Sequence, residues 1–338
     1  MKIAVVGLGF MGSTHLKALK NIPQAELAAV VSDDPKKLSG DLSAIQGNIG
    51  GPGESFDFSA VRKYRKVEEA LADPDIDAVD LCLPTYLHAP VAIQALEAGK
   101  HVLVEKPMAL DGAECDRMVS AASKAGRVLM VAQVLRFWPD YLTLMEMHRN
   151  GQLGAVRSAV FRRRCAAPAW GKWLQDPAKG GGGVFDLLIH DVDMCVHVFG
   201  VPDSVSATGY VDLPKGIDLI TAQLHYPGIG SVIVTGGWHH PKAYPFSMEY
   251  TVSGDGGTLE YSSAGRRPTF YSADGDSHEP LLPAKDGFQG ELEYFVECAS
   301  SGRMPESCPP QQSATAVKLT HRMVEARASQ GDRLSCQL

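Results

Sequence analysis

Nowhere in the 338 residues does an apolar run approach the roughly 20 residues that a membrane-spanning helix needs, so a bilayer-spanning chain is excluded. A basic excess is missing too. The 32 Lys plus Arg stand against 39 Asp plus Glu, a formal net charge of −7, whereas a chain built to grip nucleic acid carries the opposite balance. The seven cysteines, Cys82, Cys115, Cys165, Cys195, Cys298, Cys308 and Cys336, include no C-x-x-C pair. Their odd number and wide spacing speak against a zinc ribbon, a redox dithiol or a disulfide framework, and predict reduced, mostly buried thiols. Only four apolar residues, Ile3–Val6, precede the first glycine. That is too short for the apolar core of a signal peptide, and the expectation is a cytoplasmic protein. Internal repeats and low-complexity tracts are lacking as well.

What is present is an ordinary globular composition, 45% hydrophobic and 21% charged, of a length that predicts about two domains at roughly 150 residues each. The first third alternates short β-branched runs, predicted as strands over Lys2–Val6, Glu26–Val31, Ala78–Leu83, His101–Val104 and Val128–Val131, with apolar residues at helical spacing. Such alternation is the signature of a parallel sheet with crossover helices. Gly99 and Gly126 fit as helix terminators, and Gly47–Gly53 predicts an irregular surface excursion. Beyond Phe137 the pattern changes to consecutive strands, Ser158–Arg164, Ser204–Val211, Leu219–His225, Ser231–Thr235, Glu249–Ser253 and Gly257–Tyr261. Helices are expected near Val184–Phe199, Gly290–Ala299 and Ser313–Ser329. The expected division is 1–136 and 137–338, the second part being built on an antiparallel or mixed sheet, with a C-terminal helix free to return to the first domain.

Gly7-Leu8-Gly9-Phe10-Met11-Gly12 is a G-x-G-x-x-G that follows a predicted strand and opens a predicted helix. In that setting the first glycine permits a tight turn, the second admits a pyrophosphate close to the backbone, and the third lets helix and strand pack closely. The motif, with Phe10 and Met11 beginning the helix, marks a dinucleotide site. About 20 residues on, where an acid binds the ribose of NAD and small or basic residues accept the 2′-phosphate of NADP, stands Ser32-Asp33-Asp34-Pro35-Lys36-Lys37. Asp33 favours NAD and Ser32 with the lysines favours NADP, while Asp34-Pro35 also suits a helix cap. Two further strand ends, Pro84-Thr85 with His88 and Glu105-Lys106-Pro107, fall on the carboxyl edge of the sheet, where ligands bind in open α/β folds. In the second half, four glycines, Gly180–Gly183, precede Asp186 and His190, which share one helix face at a spacing of four. No third ligand accompanies that pair, so no metal is expected.

Gly7-x-Gly9-x-x-Gly12, Glu105-Lys106-Pro107 and Gly182-Gly183-x-x-Asp186-x-x-x-His190, in this order and spacing over nearly the whole chain, resemble the glucose–fructose oxidoreductase / inositol dehydrogenase (Gfo/Idh/MocA) family. The resemblance implies an N-terminal Rossmann fold, a C-terminal α/β domain with an open-faced, mostly antiparallel sheet, homodimers or homotetramers, and often a cis Lys-Pro peptide. It implies bound NAD or NADP, of which NAD is favoured here, and a small-molecule sugar or polyol as substrate. Carried over by position, Lys106 contacts the nicotinamide ribose region and the substrate, Asp186 orients a substrate hydroxyl, and His190 is the acid/base. Where NAD-using members carry an acid this chain has Ser32. Trp173, among the aromatics Trp170, Trp238 and Tyr244 with His239 and His240, suits stacking on a sugar. Arg136 and the run Arg162–Arg164 are candidates for an anionic substrate or simply a solvated strand. Two other activities are compatible with the scaffold: a glycosidase or epimerase that recycles its nicotinamide, and a non-catalytic dinucleotide-sensing regulator.

Overall fold

The computed structural model describes residues 1–45, 47, 53–169 and 171–338, with the side chain of Lys172 also left aside. Most of the predicted Gly47–Gly53 excursion, and Trp170, therefore lie outside the described residues.

Strands β1 (Lys2–Val6), β2 (Glu26–Val31), β3 (Arg62–Tyr64), β4 (Ala78–Leu81), β5 (His101–Glu105) and β6 (Leu129–Ala132) alternate with helices α1 (Phe10–Leu19), α2 (Pro35–Leu38), α3 (Val67–Leu71), α4 (His88–Glu97) and α5 (Gly112–Ala125). The strands form one parallel sheet in the order β3-β2-β1-β4-β5-β6. The chain thus leaves β1 to one side for β2 and β3 and returns to the other for β4 to β6, which opens a crevice at the carboxyl ends of β1 and β4. The near-continuous apolar runs of β1, β4 and β5 are buried on both faces, as a helix-covered sheet requires. Helix limits follow local chemistry. Asp111 accepts the amide N–H groups of Ala113 and Glu114 to start α5, and Gly126, at φ +60°, ends it. β3 is absent from the sequence-based expectation because three polar residues at a sheet edge carry no apolar pattern.

Beyond β6 come α6 (Pro139–Arg149), β7 (Val156–Cys165), α7 (Ile189–Phe199), β8 (Ser204–Asp212), β9 (Ile217–His225), β10 (Ser231–Trp238), β11 (Ser247–Gly254), β12 (Gly257–Ser262), β13 (Arg266–Ser272), β14 (Ser277–His278), α8 (Gly287–Ser301), α9 (Pro310–Ala328) and β15 (Leu334–Ser335). Their strands make a nine-stranded sheet, β14-β13-β12-β11-β7-β10-β9-β8-β15, antiparallel except where β7 meets β10. β7 shows the two faces: Ala159, Phe161 and Cys165 are buried, while Val160 and Arg162 are exposed. By register, Val160, Tyr210 and Tyr271 share the outward, uncovered face. β13 escaped the sequence pattern because it opens with Arg266-Arg267-Pro268.

Two compact units result, Met1–Val134 with Asp286–Ala314, and Leu135–Lys285 with Thr315–Leu338. Residues 286–314, which the sequence division placed with the second part, group with the first. The reason is tertiary: α8 packs on α1 and buries Leu292, Phe295 and Val296, and the Cys308 thiol donates to the Val131 carbonyl at 3.3 Å. All seven cysteines are free, and no helix among the described residues is long and apolar enough to cross a membrane.

Candidate active site

The first unit builds its nucleotide end from glycine geometry. Gly7 sits at φ +95°, and a Cβ there would fall 2.4 Å from the Cys82 carbonyl oxygen; one at Gly12 would fall 2.0 Å from the Gly7 oxygen. Both positions exclude any side chain. A Cβ at Gly9 would meet nothing within 4 Å, so the space a phosphate needs lies on that side. Gly9 is also the N-cap of α1, with no side chain capping the helix and no acid in its first turn. Its amide N–H groups and positive dipole end are therefore suited to an anion. These residues fit a dinucleotide. Phe10 and Met11, half-buried, form the first turn.

At the end of β2, Ser32 is buried and its hydroxyl accepts the Asp34 amide at 3.2 Å, while Asp33 is exposed. Asp34 accepts the Lys36 amide and caps α2, with Pro35 at its first position, so the cap foreseen for this pair is real. After β4, Pro84 leads into a short 3-10 turn in which Thr85 is buried. His88, the first residue of α4, is 1% exposed; its Nδ1 lies 2.8 Å from the Pro107 oxygen and its Nε2 2.7 Å from the Leu83 oxygen. Burial pushes this imidazole below its ordinary pKa, against the pull of the two carbonyls. The ring spans the two loops that carry Thr85 and Lys106, with one nitrogen facing a backbone carbonyl of each, and a neutral imidazole donates to one of the two. Glu105 closes β5, its Oε2 accepts the Lys106 amide at 3.0 Å, and the Lys106–Pro107 peptide is cis.

Behind this edge lies a cluster that motif reasoning missed. His15, buried on the sheet-facing side of α1, places Nδ1 2.9 Å from Asp80 Oδ2 of β4 and Nε2 3.1 Å from Glu105 Oε1. Glu291 of α8 lies 3.6 Å from the same Nε2, and Cys82 Sγ lies 3.5 Å from Nδ1. Although burial opposes the charged form, Asp80 and Cys82 raise the His15 pKa well above its ordinary value; burial drives the Glu291 carboxyl well up and the Cys82 thiol up. The donor atoms of His15, Asp80 and Cys82 fall within 4.8 Å of one another. Nδ1 is already bonded to both Asp80 oxygens, and burial favours the protonated thiol. The available signal was the position of His15, three residues beyond Gly12 on a helix that packs on the sheet.

In the second unit, Asp186 lies in a π-helical turn, Val184–Leu188, that runs directly into α7, where His190 is the second residue. Such turns occur often at functional sites. Val184, Phe185, Leu187, Leu188 and Ile189 are buried, whereas Asp186 and His190 are only half-buried, a polar patch on an otherwise apolar stretch. The preceding glycines are needed for space. Gly182 has φ +81° and faces Asp218, and a Cβ at Gly183 would lie 2.9 Å from the Trp238 ring. Asp218 receives the Val184 amide at 3.0 Å and Arg327 at 2.6 Å, anchoring the turn.

Trp173 is half-buried and packs with Cys165, Leu174, Leu187 and Trp238. His240 stacks on Tyr244 at 4.0 Å, with Arg164 5.5 Å above that ring. The arginines all have carboxylate partners. Arg136 grips Asp193 at 2.7 and 2.8 Å and Arg163 grips Asp191 at 2.8 and 3.1 Å, both fully buried; Arg162 and Arg164 share Glu249. A solvated strand therefore describes Arg162 but not Arg163, whose neighbours on the covered face are apolar. The site residues divide between the units. Lys106 and the nucleotide-end residues belong to the first; Asp186, His190 and Trp173 belong to the second.

Residues 1–133 match the family described as oxidoreductase family, NAD-binding Rossmann fold, and residues 141–260 match the C-terminal domain of the same Gfo/Idh/MocA family. An oxidoreductase of Rhizobium meliloti is 33% identical over 234 residues, 66% of each chain, just under two thirds of the relative's length. The myo-inositol 2-dehydrogenase of Thermotoga maritima is 28% identical over 90% of each chain. The crystal structure of an aldose-aldose oxidoreductase from Caulobacter crescentus, complexed with glycerol, superposes with a TM-score of 0.83 at 25% identity over 99% of both chains. With both domain models matched in order and the Rossmann glycines, Glu105-Lys106-Pro107 and the Asp186–His190 turn in place, the chain belongs to the Gfo/Idh/MocA oxidoreductase family.

Proposed function

We propose that the protein transfers a hydride between a nicotinamide and a secondary hydroxyl, or the matching ketone, of a sugar, inositol or related polyol. The observation that carries this reading is the Asp186–His190 pair, held half-buried by a π-turn in an otherwise apolar helix, in a chain whose first unit bears Lys106 at the ligand edge of a dinucleotide-binding sheet. Relatives named for inositol and aldose chemistry support the substrate class. The bound nicotinamide supplies or accepts the hydride. His190 takes the hydroxyl proton, a task that suits imidazole near neutral pH. Asp186 orients the hydroxyl, Lys106 supplies positive potential to the developing alkoxide, and Trp173 offers an apolar face to the sugar ring. At the nucleotide end, Gly7, Gly9, Phe10, Met11 and Gly12 hold the pyrophosphate, Pro84, Thr85 and Glu105 line the strand ends, and His88 braces them. Exposed Asp33 favours NAD over NADP, with Ser32 beside it. The open sheet face carrying Val160, Tyr210 and Tyr271 suits a homodimer or homotetramer, and the site belongs to a cytoplasmic enzyme.

Lys106→Met and His190→Ala are each expected to lower kcat by about 10²- to 10⁴-fold, with NAD still bound, when the protein is screened with NAD and NADP against inositols, aldoses and keto-sugars. Near-normal turnover by either variant would remove that residue from the chemistry. Turnover without net change in reduced cofactor would instead indicate recycling.

A further inference from the structure

We propose that His15 is a positioning residue, a buried imidazolium that acts through Glu105 to fix Lys106. The geometry is a continuous chain within the first unit. Nδ1 is hydrogen-bonded to Asp80 at 2.9 Å, Nε2 faces Glu105 Oε1 at 3.1 Å in an ion-pair contact without an aligned hydrogen bond, and Glu105 Oε2 takes the Lys106 amide at 3.0 Å. None of the three side chains is more than 6% exposed, so water does not compete for these contacts, and each is worth more than it would be at the surface.

Titratable groups reach the imidazole from several elements: Asp80 from β4 and Cys82 just beyond its end, Glu105 from β5, and Glu291 from α8, whose Phe288 also faces the ring. Three carboxyls around one imidazole cannot all ionise in a buried space. The geometry fits a protonated His15 between Asp80 and Glu105, with burial favouring the neutral forms of Glu291 and Cys82. Burial supports it, since both carboxylate oxygens of Glu291 lack a hydrogen-bond partner. Glu105 is then held by the imidazolium at one oxygen and turned toward the Lys106 backbone with the other. A neutral His15 would release that oxygen, and the Glu105 side chain would be free to turn. The backbone that aims Lys106 would lose its anchor.

This role rests on the proposed part of Lys106 in the reaction, and the test separates the two. In protein labelled with ¹⁵N-histidine, with His15→Gln identifying the signal, both ring nitrogens of His15 are expected to stay protonated at pH 7.5 and above. A neutral tautomer at that pH overturns the proposal without reference to activity. His15→Gln is expected to lower kcat by about 10- to 100-fold, the scale of a small misplacement of a reacting group, with substrate KM changed less than threefold and NAD affinity kept. Glu105→Gln, which can still accept the Lys106 amide, is expected to retain several-fold more kcat than Glu105→Ala and to move the His15 signal toward the neutral form. Should Lys106→Met keep its turnover, the catalytic reading of Lys106 fails while the ¹⁵N result stands. Should Lys106→Met be inactive and a folded His15→Gln keep full kcat, the positioning role alone fails.

Discussion

The two units bury charge in opposite ways. In the second, each buried cation has one carboxylate: Arg136 with Asp193 and Arg163 with Asp191, both bidentate. In the first, one imidazole stands among Asp80, Glu105, Glu291 and Cys82. A one-to-one guanidinium–carboxylate pair has no proton to give near neutral pH, because Asp191 holds Arg163 protonated. The Arg163–Asp191 pair ties β7 to α7, and the Arg136–Asp193 pair ties the turn before α6 to the same helix. The surplus of acids around His15 forces at least one member to stay neutral, so that cluster has a protonation state that conditions can change. Balanced burial belongs to the scaffold; unbalanced burial sits beside the strand end that carries Glu105 and Lys106.

Three perturbations test this contrast, beginning with the largest. Arg163→Met strands the Asp191 carboxylate in an apolar interior and is expected to cost about 3–5 kcal/mol of unfolding free energy, read by urea titration. A cost below about 1 kcal/mol would mean that the pair is replaceable and the contrast with the first unit too sharply drawn. The second perturbation is pH. Glu291 and His15 both have folded pKa values raised above their unfolded ones. Their stabilising contributions are therefore complete below the unfolded values, roughly 4.5 and 6.5, and are lost as pH rises through the folded ones. Glu291→Gln mimics the neutral acid at all pH. Its melting temperature is expected to equal that of the unmodified chain near pH 5 and to exceed it by a growing margin toward pH 9; a constant margin would show that Glu291 is ionised throughout. The smallest effect is at Arg162, one residue from Arg163 but 45% exposed in its pairing with Glu249. Arg162→Ala should cost less than about 1 kcal/mol by the same urea titration, and a larger loss would show that exposure does not separate the two arginines.

What could be read from the chain depended on how local each feature is. β1, β2, the glycine turn and the Asp34-Pro35 cap are written in consecutive residues and stand where the spacing placed them. For the run Arg162–Arg164 the sequence left an anionic substrate and a solvated strand open, and nothing nearby named Asp191 as the partner of Arg163. His15, Asp80, Glu105 and Glu291 come from four separate elements, each unremarkable in its own window, and only the folded sheet assembles them. Trp173 shows a different limit: an aromatic residue in a loop looks the same whether it stacks on a sugar or packs on Leu174 and Trp238. β3 and β13 were missed because short or charged edge strands lack the apolar pattern that marks a buried one.

The return of residues 286–314 to the first unit has a consequence for how the protein is made. During synthesis the whole parallel sheet leaves the ribosome long before α8 does, and domains normally fold as they emerge. Until Leu292, Phe295 and Glu291 arrive, α1 carries an open apolar flank beside the His15 pocket. The nucleotide-binding unit therefore begins first and is finished nearly last. A gene fragment cut after β6 encodes every glycine of the turn but not a complete domain.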